Sequence, residues 1–150
     1  MKAKIILTIA FATFVLAGSI SASGSESQSN VKPDTTQAAM EDQLVVVWTS
    51  GDKEVAMNMV LMYTYNAKKQ EWWQDVTLLI WGPSQEVLTE NKEVQDYVKK
   101  IREAGVKVMA CKACANICGV AGNLTELGIE VKYTGQDLTE FIKNRKVVTF

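Results

Sequence analysis

The sequence predicts an α/β fold, a parallel sheet with helices on both faces. Short apolar runs of β-forming residues alternate with segments whose apolar residues recur at helical spacing. The first two runs, Leu44–Trp48 and Val76–Trp81, are apolar without alternation, as strands buried on both faces are. Glycine, proline or serine stands where strand gives way to helix. Right-handed crossovers follow from that order.

Leu44–Trp48 is the first strand. Thr49-Ser-Gly-Asp52 breaks it, and Ser50 or Asp52 supplies a helix cap. From Lys53 to Lys69 a helix is predicted, with Val55, Met59, Met62, Tyr63 and Ala67 inward. Met57 is assigned to the core with the other methionines. Trp72 and Trp73 lie between this helix and the next strand, where they pack locally or mark a subunit contact. Val76–Trp81 is the second strand. Gly82-Pro-Ser84 ends it, with Pro83 suited to a helix start. Val94, Tyr97, Val98 and Ile101 mark a helix over 92–104, capped by Asn91 and stopped by Gly105. Val106–Ala110 is the third strand. One or two helical turns follow within 113–120, then a short helix from Asn123 to Leu127. Ile129–Tyr133 alternates, as a less buried strand does. A helix from Gln136 to Asn144 turns Leu138, Phe141 and Ile142 inward, and Val147–Phe150 closes the chain as a strand.

The ends of the chain divide it into three parts. Lys2 and Lys4 precede an apolar run, Ile5 to Ala17, and small residues follow, so 1–23 is expected to be a secretory signal peptide. The run is too short to span a bilayer comfortably. Leu16-Ala17-Gly18-Ser19 resembles a lipobox, with serine where the lipidated cysteine would stand. Residues 24–40 are polar and poor in large apolar side chains, the composition of a disordered linker. Residues 41–150 suffice for one core. Export places the protein in the periplasm or outside the cell. Losing 1–23 removes two lysines and no acid, so the net charge of −1 falls to −3. No nucleic-acid partner has electrostatic support from that balance, and no later segment is apolar and long enough for a membrane.

Chemistry is concentrated in one place. The three cysteines, Cys111, Cys114 and Cys118, fall within eight residues, and there is no histidine. Cys111 is expected at the end of the third strand, where a helix begins. Free N–H groups and partial positive charge there favour the thiolate, which is the nucleophile. Lys112 adds a positive charge if its side chain turns that way. Cys114 is within reach for a disulfide, and Cys118 shares a helix face with it. The bland readings are a structural Cys111–Cys114 disulfide, and a Cys118 that merely packs. Three thiols without histidine fall short of a tetrahedral zinc site or a four-thiolate cluster unless another group completes the set. No metal and no cofactor are expected. No Ser-His or Cys-His pair can exist. In parallel sheets ligands bind at the carboxyl ends of the strands. The loops Thr49–Asp52, Gly82–Ser84 and Cys111–Cys118 should therefore meet there.

The ordered set of Leu44–Trp48, Ser50-Gly51, Val76–Trp81, Val106–Ala110 with Cys111, and Gly128–Gly135 with Leu138-Thr139 resembles the DsrE/DsrF-like family over 43–150. That likeness implies a three-layer α/β/α sandwich with a five-stranded, mainly parallel sheet, ordered 4-3-2-1-5. A flavodoxin-like 2-1-3-4-5 order fits the pattern of elements equally well. Several members carry sulfur as a persulfide on a cysteine, and many form homo- or hetero-oligomers. Cys111, eight residues before Gly119, stands at the matching position. Ala110-Cys-Lys-Ala-Cys114 is similar to the Ala-Cys-x-Ala-Cys loop of a subgroup, and an exported location departs from the cytoplasmic relay proteins.

Three functions remain open at this stage. The first is a sulfurtransferase or sulfur carrier. It would exchange sulfur with a donor or acceptor protein or a small sulfur compound as a homo-oligomer. Cys111 would act as the working thiol, with Cys114 and Cys118 as resolving thiols and the Gly51 and Gly82 loops shaping the pocket. The second is a ligand- or partner-binding module with a structural disulfide. The third is a redox or metal protein built on the same thiols.

Overall fold

The computed structural model describes residues 42–150. The expected signal peptide and linker lie outside the described residues. Strand β1 is Gln43–Trp48, β2 Asp75–Ile80, β3 Lys107–Cys111, β4 Glu130–Lys132 and β5 Lys146–Thr149. They form one sheet in the order β4-β3-β2-β1-β5, and every pairing is parallel. This is the order the family likeness implied, and the flavodoxin-like alternative is set aside.

The helices are α1 (residues 53–69), α2 (Ser84–Glu90), α3 (Lys92–Glu103), α4 (Lys112–Ile117), α5 (Ala121–Glu126) and α6 (Gly135–Asn144). Alternation along the strands sorts the core into two layers. Leu44, Val46, Trp48, Val76, Leu78, Ile80, Val108 and Ala110 face α1 to α5. Val45, Val47, Leu79 and Met109 face the other way, onto Phe141 and Leu138 of α6. Leu78, Ile80, Leu88 and Ile101 are fully buried. Each such side chain contributes about 1.5–3 kcal/mol relative to exposure.

Several expectations are corrected. Helix α1 contains one π-helical turn, Ala56–Leu61. Its wider spacing turns both Val60 and Leu61 inward with Ala56, Thr64 and Ala67. Met59 and Met62 are therefore half exposed rather than core, whereas Met57 does pack on the core. Trp73 packs there too, and Trp72 stays exposed with its ring 6.3 Å from that of Tyr63. Ile142 is exposed, because Phe141 and Leu138 already fill the narrow face that α6 offers. Strand β2 ends at Ile80, and Trp81 belongs to the loop. Its N–H donates to the Trp48 carbonyl at 2.9 Å before the chain turns at Gly82, where φ is +69°. Asn91 caps by a different route from the expected one. Its side-chain amide donates to Val87 O at the end of α2, and it accepts nothing from α3. Asp52 behaves as expected, its Oδ1 accepting from the Val55 N–H at 2.9 Å.

Among the described residues no helix is long and apolar enough to cross a membrane.

Candidate functional site

The carboxyl ends of β1, β2 and β3 do converge. A Cβ placed on Gly51 would come within 3.2 Å of Pro83 Cβ, so the first two loops touch. Ser84 is fully buried and its hydroxyl reaches the carbonyls of Trp48 at 2.8 Å and Trp81 at 3.0 Å. The first two loops are thereby held together.

Cys111 is both the last residue of β3 and the residue that opens α4. On one side it still pairs with Lys132 of β4. On the other side β2 has already ended, since its last pair is Ile80 with Ala110. The Cys111 carbonyl is thus left without a strand partner, and the side chain of Gln85 replaces it. Gln85 Nε2 donates to Cys111 O at 3.0 Å and to Ile80 O at 3.2 Å. An orphaned buried carbonyl costs about 1–3 kcal/mol. Gln85 is itself fully buried, so its amide holds the strand end rigidly.

The three thiols occupy different surroundings, and all are free. Burial pushes the Cys111 thiol up. It is outweighed by hydrogen bonds from the Cys114 N–H, the Thr134 hydroxyl, the Cys114 thiol and the Ala113 N–H, and Cys111 lies below an ordinary thiol. Burial raises Cys114, and donating to the Cys111 sulfur raises it further. Burial and the nearby Glu86 carboxylate raise Cys118. Cys118 lies one helical turn past Cys114, its N–H bonded to Cys114 O at 2.9 Å, and does not act on Cys111. The structure therefore brings Cys111 and Cys114 together and leaves Cys118 to one side. Lys112 points to the ring of Tyr133, its Nζ 5.4 Å from the centroid, and is not among the groups that shift Cys111.

A cavity of about 500 Å³ opens beside Cys111, lined by Trp81, Cys111, Ala113 and Tyr133 to Gln136. Cys111, only 3% exposed, and Thr134, fully buried, form its floor. The expected pocket walls were Gly51 and Gly82. Instead the loop between β4 and α6 supplies them, because β4 is the neighbour of β3 on the far side. Thr134, Tyr133, Trp81 and Gln85 were not singled out from the sequence. The Tyr-Thr-Gly stretch was the available signal, and it served only to support the family likeness. Among the described residues no three Cys, Asp or Glu side chains are placed to share a metal ion.

The DsrE/DsrF-like family model matches residues 42–150. A conserved protein of unknown function from Bacteroides thetaiotaomicron, BT1422, is 34% identical, with a TM-score of 0.70 over 73% of this chain and 95% of that one. The ychN protein from E. coli shares the fold at 18% identity, with a TM-score of 0.56 over 73% of this chain and 99% of its own. No curated protein matches the chain. With its five-stranded parallel sheet between two helical layers, and a family match spanning all the described residues, the chain belongs to the DsrE/DsrF-like family, which is associated with sulfur relay.

Proposed function

We propose that this protein carries sulfane sulfur as a persulfide on Cys111, in the periplasm or outside the cell. One observation supports the reading above all. A thiol disposed to ionise stands on the floor of a cavity, with N–H donors on its sulfur and a second thiol in hydrogen-bond contact. Donors preorganised around an anionic sulfur stabilise it without rearrangement.

In loading, the Cys111 thiolate attacks the sulfane sulfur of a donor. The donor's S–S bond breaks, a new S–S bond forms on Cys111, and the donor departs as a thiolate. Two routes of release follow. In the first, an acceptor thiolate takes the outer sulfur and Cys111 returns as thiolate. In the second, Cys114 loses its proton and attacks Cys111 Sγ. A Cys111–Cys114 disulfide forms, hydrosulfide leaves with the proton, and a dithiol reductant restores the pair. Cys118 is a further resolving candidate, one turn away. Family membership does not favour the alternative of a binding module with a structural disulfide.

Intact mass after incubation with a persulfide donor tests the proposal. Wild type should gain one sulfur atom that Cys111→Ser does not gain. No gain on wild type, or an equal gain on the variant, ends it.

A further inference from the structure

The three thiols stand in series, with Cys114 in the middle. The Cys114 thiol donates to the Cys111 sulfur. Cys118 lies one helical turn beyond, its N–H on Cys114 O at 2.9 Å. Cys114 feels both of the other sulfurs, whereas Cys118 does not act on Cys111. Exposure rises along the series. Cys111 is buried on the cavity floor, and Cys114 and Cys118 are half-buried. Cys118 stands between Ile117, which is 85% exposed, and the exposed Gly119. A Cys111–Cys114 disulfide, left when hydrosulfide departs, therefore has its first sulfur at the floor.

That disulfide has a way outward. Residues four apart on a helix have Cβ atoms about 5–6 Å apart, and a disulfide brings them to about 3.5–4.5 Å. The last turn of α4 can close that gap. The helix ends at Ile117, Ala115 is its one buried residue, and the chain turns at Gly119, where φ is +71°. Helix termini open at little free energy. The leaving group favours the same direction. Thiol exchange expels most readily the sulfur that is most stable as thiolate. The N–H groups of Cys114 and Ala113 hold the Cys111 sulfur, and Cys111 lies below an ordinary thiol while Cys118 lies above one.

We propose that Cys118 ends a disulfide relay, which moves the bond formed at Cys111 one helical turn outward, to Cys114 and Cys118. Cys118 loses its proton to water and attacks Cys114 Sγ. The Cys114–Cys118 bond forms, the Cys111–Cys114 bond breaks, and Cys111 departs as thiolate. This exchange needs no oxidant or reductant. A dithiol reductant then reduces the outer disulfide to two thiols and becomes a disulfide itself. Cys111 is free to load again before that reductant arrives. The origin of the first disulfide rests on the persulfide reading; the exchange among the thiols does not.

Trypsin tells the two disulfides apart. Lys112 stands between Cys111 and Cys114, and no lysine or arginine lies between Cys114 and Cys118. Reduced protein is treated with a limiting amount of the thiol oxidant diamide, quenched in acid, alkylated and digested. A Cys111–Cys114 bond links peptide 108–112 to peptide 113–132. A Cys114–Cys118 bond closes 113–132 on itself and leaves 108–112 alkylated. In wild type the linked pair should appear first and the closed peptide should replace it. Cys118→Ser should lose the closed peptide and keep the linked pair, and Cys114→Ser should lose both. A linked pair that persists in wild type, or linkage in Cys114→Ser as fast as in wild type, overturns the relay. The same map is then made on protein treated with a persulfide donor. Sulfur gain, followed by its release and the closed peptide, supports both readings. Gain followed by a persistent linked pair overturns the relay and leaves sulfur carriage standing. No gain, with the closed peptide still formed by diamide, ends the persulfide reading while the relay stands.

Discussion

A cavity of about 780 Å³ lies at the amino ends of the strands, and one of about 500 Å³ lies at their carboxyl ends beside Cys111. The larger is lined by Lys68, Lys69, Lys100, Glu71 and Glu103 among others, and by no cysteine. Two of its three lysines are already engaged. Lys68 Nζ donates to Gln74 O at 2.7 Å, and Lys100 Nζ stands 4.2 Å over the Tyr65 ring. The smaller holds the Cys111 thiol and the start of a helix whose first turn has no side-chain cap. The difference follows from strand direction. In a parallel sheet the amino ends receive helix C-termini, whose spare carbonyls attract lysines. The carboxyl ends feed helix N-termini, whose spare N–H groups await acceptors. Unmatched donors, more than volume, mark the end where anionic chemistry can occur.

The sharpest way to break this contrast is to disarm each cavity in turn. Cys111→Ser should abolish sulfur loading by intact mass, while Lys68→Ala combined with Lys100→Ala should load as wild type. Loss of loading in the lysine variant would place the chemistry at the wrong end. Next in size is Gln85→Leu. It leaves the carbonyls of Cys111 and Ile80 unpaired and should lower denaturant unfolding stability by about 1–3 kcal/mol. A change under about 0.5 kcal/mol, the usual range of surface substitutions, would show that those carbonyls find other partners.

A smaller effect lies in pH. Ionisation creates the reactive thiolate, so a lowered pKa moves the rise of reactivity to lower pH. Burial opposes that shift at Cys111 and the hydrogen bonds around its sulfur exceed it, whereas burial raises Cys114 and Cys118. Site-resolved alkylation should therefore rise first at Cys111 as pH increases, with the other two following at higher pH. A common midpoint for all three would remove the basis for ranking them. Smallest of all, Lys69→Ala, on the exposed rim of the larger cavity, should change stability by no more than about 0.5 kcal/mol in the same unfolding assay.

Cys111 was legible in the sequence because a strand-to-helix switch is a local event, written in Val106–Ala110 and the residues after it. The buried strands were legible for the same reason, as continuous apolar runs. Thr134 and Gln85 were not. Each acts on Cys111 through strand order: Thr134 because β4 lies beside β3, Gln85 because β2 stops one residue short of β3. Neither relation has a local signature. The assignments of Met59 and Met62 in α1 failed for a different reason, whereas Met57 does pack on the core. Two apolar series offset by one residue run through 53–69, and only the π-helical turn decides between them.

That turn, Ala56–Leu61, carries one more residue than an α-helical turn would need. Elsewhere in a buried helix, losing a residue rotates everything downstream out of the core. Here a one-residue deletion would relax the wide turn to ordinary helix and leave Met62–Lys69 in phase. The first helix of this fold should thus tolerate a change of length that α3 would not. A gap in an alignment of related chains at 56–61 would then mark neither a loop nor an error, but the site of an ancient insertion.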